Sequence, residues 1–199
     1  MVTGMRAIRF MLLLLASCST GDLHGDMAEL RADIERMERD LPPEAPLWIA
    51  DGDNAFAKHL DDFTSRVPDF IYNHIISKLS KGTDAEFSAL AKSDFDYAAC
   101  LKEPDLQRGT FVHVRAIIGA IKSQPCDPAS GVREVHAGLA WDNHRPVFFH
   151  LVDKPEVLTL HQDLIEFSGV FVKILRYNTK DGTVIDAPFF LAKCAHKYY

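Results

Sequence analysis

The chain has 199 residues, 47% of them hydrophobic, and a formal charge of −6 at pH 7. That length allows one sizeable domain or two small ones. The acidic balance argues against nucleic-acid binding, which rests mainly on phosphate neutralisation by Lys and Arg.

The first element reads as a leader. Arg6 and Arg9 precede an apolar run from Phe10 to Ala16, and Ala16 and Ser17 are small residues in front of Cys18. A basic region, a short apolar core and a small-residue cut site make an export signal. The run is too short to span a bilayer, which needs about 20 apolar residues. Leu15-Ala16-Ser17-Cys18 resembles the lipobox of bacterial lipoproteins. The resemblance implies that residues 1–17 are removed and that Cys18 carries the lipid, so the mature protein is exported and anchored to the bacterial cell envelope, periplasmic or at the outer surface. An ordinary secretory signal cut between Ser17 and Gly21 is the alternative. Cleavage takes Arg6 and Arg9 from the 22 basic residues and leaves a balance of about −8 against 28 acidic ones.

Residues 18–25 read as a tether and 26–47 as an amphipathic helix followed by a Pro-rich linker. Met27, Leu30, Ile34, Met37 and Leu41 form a one-sided stripe at spacings of three and four. Asp26 and Glu29 stand in capping-box positions, and Pro42 and Pro43 stop the helix. The texture stays helical over 48–107. Expected helices cover 55–64, 69–80, with Ile71, Ile75, Ile76 and Leu79 inward, and 84–92, capped by Thr83 with Glu86 three residues on. Asp51-Gly52-Asp53-Asn54 lacks the glycine and glutamate positions of a calcium loop.

From residue 108 to 199 the period changes to two. Five strands are expected, near 109–121, 133–141, 147–152, 164–177 and 185–196. Gly119 is a place for the first to bend, and residues 178–182 form a hairpin turn. Taking Val135, Ala137, Leu139 and Trp141 as one core face, with Val147, Phe149 and Leu151 opposite, sets Trp141 against Val147. That register needs a five-residue loop, 142–146, and displays His136, Phe148 and His150 together on the outer face as candidate ligand residues.

The strand order and the long third-to-fourth connection resemble the OB-fold. Arg108-Gly109…Val112-x-Val114, Gly169-Val-Phe-Val-Lys173 and Ala187-Pro-Phe-Phe-Leu-Ala-Lys193 are similar to the C-terminal part of uncharacterised exported bacterial proteins. The implied fold class is α+β: an N-terminal helical segment followed by a five-stranded antiparallel OB-fold-like β-barrel. A helix is then expected within 153–163, and the second and third strands would form the ligand face. With Cys18 lipidated, OB topology brings the ends of the first and fifth strands to one pole, which makes Cys126 and Cys194 the candidate disulfide with Cys100 free; the alternative is that all three thiols are free or buried.

No nucleophile, zinc-ribbon or phosphate-loop motif is present. No catalytic residue, metal or cofactor is therefore assigned, and the nine histidines are not read as metal ligands. The expected function is a non-enzymatic binding or structural module, joined to the membrane through the Cys18 lipid and free to take a protein, peptide or glycan ligand. The alternative is a hydrolase-type envelope enzyme whose His and Asp residues converge only in the fold.

Overall fold

Proline and capping chemistry set the helices, and hydrophobic alternation sets the strands. The computed structural model describes residues 60–91, 93–179 and 182–199. Cys18, the expected helix at 26–41 and the first half of that at 55–64 lie outside these residues. Positions 60–64, which are described, form a turn and a bridge from Thr64 to Leu175 rather than a helix.

Helix α1 (Asp69–Lys81) starts after Pro68, which stands at its N-cap and leaves Asp69 in the first turn. Ile71, Ile75, Ile76 and Leu79 are its buried face. Helix α2 (Asp84–Leu90) carries the expected Thr83–Glu86 capping box and buries Phe87. Asp96 caps α3 (Tyr97–Lys102), and α4 (Pro104–Gln107) begins on a proline.

The strands are β1 (Phe111–Pro125), β2 (Glu134–Asp142), β3 (Arg145–Leu151), β4 (Leu164–Asn178), β5 (Val184–Ala192) and β6 (His196–Lys197). Their order is β1-β2-β3-β5-β4-β6, and β1 also pairs with β4, which closes β1, β2, β3, β5 and β4 into a ring. The sheet is mixed, not purely antiparallel, and has a sixth strand: β3 and β5 are parallel and β6 pairs with β4. The parallel pair is unavoidable, because alternating directions cannot close around an odd number of strands.

Strand β1 serves two neighbours. Residues 111–117 pair with β4 and 117–125 with β2, with a bulge between Ile118 and Ala120. Gly119 sits in that bulge, where a Cβ would lie 2.5 Å from Trp141 Nε1. The bulge lets one strand turn from one side of the ring to the other.

The strands contribute to two buried layers. Val114, Ile118, Val147, Phe149, Phe167 and Phe190 belong to the inner layer, to which α3 adds Tyr97 and Cys100. The outer layer joins Leu139, Phe148, Val172 and Phe189 to α1 and Phe87. The expected helix within 153–163 is absent; turns occupy that connection. Helix α3, which precedes β1, packs against the inner layer instead.

The β2–β3 register differs from expectation by one residue. Trp141 faces Pro146, Ala140 faces Val147 and Asp142 faces Arg145, so the loop is two residues long, Asn143-His144. Their φ values of 47° and 67° are those of a tight hairpin turn. Pro146 is tolerated in β3 because pairing with β5 starts only at Phe148, so its missing N–H costs no bond there. A one-residue slip reverses the relative faces. Val147, Phe149 and Leu151 therefore belong to the inner layer, while Val135 and Leu139 belong to the outer one.

Candidate functional site

The slip separates the three expected ligand-face residues. Phe148 and His150 pair with Leu139 and Ala137, whereas His136 pairs with Leu151 and lies on the other face. Helix α1 covers the first two. Tyr72 Oη lies 2.6 Å from His150 Nδ1, with the two rings edge to face, and Phe189 flanks the imidazole on another side. Burial drives His150 down to about 3, so it is neutral at physiological pH, and its Nε2 has no partner. Phe148 packs edge to face on Tyr177. This outer face is packing, closed to a ligand.

His136 is buried and shares a 2.9 Å contact from its Nδ1 to Ser123 Oγ. Ser123 also lines an open depression with Gln124, Pro125, Arg133 and Glu134, at the far end of the β1–β2 hairpin.

A second buried cluster ties residues 61–66 to β4. Lys173, fully buried, donates to the carbonyls of Asp61 and Arg66 and to Thr64 Oγ1, the last two at 2.8 and 2.5 Å. Burial lowers its ammonium to about 8. Asp62 accepts from Arg108 Nη2 at 2.7 Å and from the Ile174 amide at 2.7 Å. The two terminal nitrogens of Arg108 are paired, Nη2 with Asp62 and Asp105 and Nη1 with the Val172 carbonyl, whereas its buried Nε has no partner.

The open part of the sheet is the outer face of β1, β4 and β6. His113 pairs with Ser168, Arg115 with Glu166, and Ile117 with Leu164. His196 pairs with Glu166, and the Tyr198 amide donates to the Leu164 carbonyl. The Arg115 guanidinium stacks on the Tyr198 ring at 4.6 Å while its Nε donates to Glu166 at 2.9 Å. Ile117 and Tyr198 are 43% and 42% exposed. Leu160 is 43% exposed, and the next amide, His161, donates to the Ile118 carbonyl, which brings that side of the connection beside Ile117. Asp163 holds the connection down through the Thr159 amide and Lys197.

At the edge of this face, Cys194 Sγ lies 3.1 Å from His196 Nε2, which lies 3.2 Å from Asp84 Oδ2. Among the described residues this is the one group of three metal-ligating side chains whose donor atoms converge, all within 4.8 Å. It is not a nucleophile relay. One imidazole nitrogen faces both partners, whereas a relay uses the two nitrogens separately. Burial, reinforced by Asp84, pushes the Cys194 thiol up to about 12, away from the thiolate a nucleophile needs.

Cys100, Cys126 and Cys194 are all free, so the expected Cys126–Cys194 bridge is not formed. Cys126 Sγ accepts from Ser130 Oγ in the loop after β1, while Cys194 faces His196. A shared pole does not suffice, because β2 and β3 lie between β1 and β5 on that side of the ring and neighbouring strands are about 4.8 Å apart.

Sequence reasoning missed the Asp84–Cys194–His196 grouping because Asp84 lies 110 positions before Cys194 in the chain. The only local signal was Cys194-x-His196, whose members share a side of an extended segment.

No protein-family model matches the sequence, and no curated protein matches it. Among solved structures the chain is similar to the aspartyl-tRNA synthetase of Entamoeba histolytica, with a TM-score of 0.35 and 8% identity over 59% of this chain and 23% of that one. A putative aspartyl-tRNA synthetase of Leishmania major Friedlin gives a TM-score of 0.34 and 10% identity, over 57% and 24%. The chain spans about a quarter of the length of either synthetase.

Proposed function

We propose that the chain is a non-enzymatic module of the bacterial cell envelope, held to the membrane by lipid on Cys18, in which an OB-type barrel offers the outer face of β1, β4 and β6 to a protein partner. The ring order β1-β2-β3-β5-β4 with parallel β3 and β5 supports the OB reading. The observation that carries the binding reading is the contrast between two outer faces. That of β2–β3 is sealed by Tyr72 and α1, whereas that of β1–β4–β6 leaves Ile117 and Tyr198 partly exposed beside Arg115. Tyr and Arg side chains, here Tyr198 and Arg115, are among the residues that most often anchor protein interfaces.

The test is affinity capture from detergent-solubilised envelopes with the wild type, Ile117→Asp and Tyr198→Ala. Proteins retained by the wild type and lost from both variants support the reading. Identical captured sets from all three proteins contradict it.

A hydrolase-type reading has one contact in its favour, the Ser123 Oγ–His136 Nδ1 pair at the mouth of a depression. It predicts ester hydrolysis that Ser123→Ala abolishes. Equal turnover by that variant removes it.

A further inference from the structure

We propose that Asp84, Cys194 and His196 bind one transition-metal ion of the zinc class through three protein donors, leaving one coordination position for water or an incoming ligand atom. Nothing in the binding reading above requires this site.

The fold builds the site from two directions. Ala195 is buried in the inner layer. Cys194 and His196, on either side of it, therefore turn together to the other side of the segment, as alternate residues of an extended chain do. Asp84 comes from the first turn of α2, which the Thr83–Glu86 capping box fixes in place. The Sγ to Nε2 and Nε2 to Oδ2 separations of 3.1 and 3.2 Å are close to the edges of a tetrahedral zinc site, about 3.6 and 3.3 Å at the usual bond lengths. A small outward movement of the sulfur makes room for the ion.

The donor set selects the metal. Calcium and magnesium take oxygen donors. A sulfur, an imidazole nitrogen and a carboxylate oxygen together suit zinc and its divalent neighbours. Three protein ligands with an open position are the arrangement of zinc sites that bind exogenous groups, whereas structural sites close all four positions. On binding, the Cys194 Sγ–H proton passes to solvent and the sulfur becomes a thiolate ligand. A half-buried thiol in an exported protein would be protected from oxidation by that bond.

The full mature chain, reduced and metal-free, is titrated with Co²⁺ and then Zn²⁺. The expected result is one equivalent of cobalt with a thiolate-to-cobalt charge-transfer band in the near ultraviolet, displaced by Zn²⁺. Cys194→Ser should lose the band. His196→Ala, at a largely exposed position, should fold normally by circular dichroism. It should bind Co²⁺ more weakly by at least the roughly 10–100-fold that loss of a supporting partner costs a metal site. Asp84→Asn should also bind more weakly. Zn²⁺ should raise the melting temperature of the wild type and not that of Cys194→Ser. Absence of the band in the wild type overturns the site. So does an unchanged band in Cys194→Ser, or unchanged affinity in folded His196→Ala.

Discussion

At the scale of single residues, two buried ionisable groups make stability depend on pH in separate windows. His150 falls from its ordinary 6.5 to about 3 in the folded protein because burial disfavours the imidazolium. Between those values the unfolded chain holds a proton that the folded one does not. The contribution of His150 is therefore complete above pH 6.5 and is lost as the pH falls towards 3, on the order of 5 kcal/mol in all. Chemical denaturation from pH 7 to 4 should show that loss, and His150→Leu should flatten it. Lys173 falls from 10.5 to about 8, again by burial. Its contribution rises with pH across about 8 to 10.5, because there the unfolded chain alone keeps the proton. Wild type minus Lys173→Met should show a positive slope from pH 8 to 10. A flat difference would mean that Lys173 titrates normally. Neither group was legible in the sequence. A histidine in an alternating strand looks the same under a helix as in water, and the partners of Lys173 lie more than 100 positions away.

At the scale of elements, alternation and caps were readable and register was not. Ile71, Ile75, Ile76 and Leu79 share a helical face with no outside information, and Thr83 and Glu86 announce the start of α2. The β2–β3 register was hidden because both faces of each strand are apolar and buried, so either pairing satisfies the pattern. Asn143-His144 also lacks the glycine that marks a two-residue turn. His144 holds φ 67° without being glycine. His144→Gly should therefore stabilise the protein by about 1 kcal/mol in urea unfolding. Destabilisation there would show that the imidazole makes an important contact. Gly119 was read as a bend, and its bulge explains why: the Trp141 indole occupies the space a methyl would need. Gly119→Ala should cost roughly 1–3 kcal/mol, the usual range for overpacking. A neutral result would mean that the bulge and indole move apart freely.

At the scale of the whole molecule, the five strands of the ring and the change from helix to sheet near residue 108 were legible, and the sixth strand and the choice of open face were not. Which outer surface a helix covers depends on how residues 60–107 fold back over the ring, and no local pattern encodes that. Tyr72 reaching His150 closes the face the fold resemblance favoured. The proposed anchor rests on separate ground, the order of Arg6, Arg9, the apolar run and Cys18 in the sequence. More than one inserted acyl chain makes anchoring stable. Cys18→Ala, expressed in bacteria, should therefore move to the aqueous phase of a detergent separation, and unchanged membrane retention would remove the lipid from the account. The central claim is that β1, β4 and β6 form the binding face. Its most direct measurement is site-specific photo-crosslinking in intact envelopes, with the photoreactive residue at Ile117, at Tyr198 or at Val184, which is exposed elsewhere on the sheet. The account predicts one discrete protein adduct from Ile117 and Tyr198 and none from Val184. An adduct from Val184 alone, or none from any position, would contradict it.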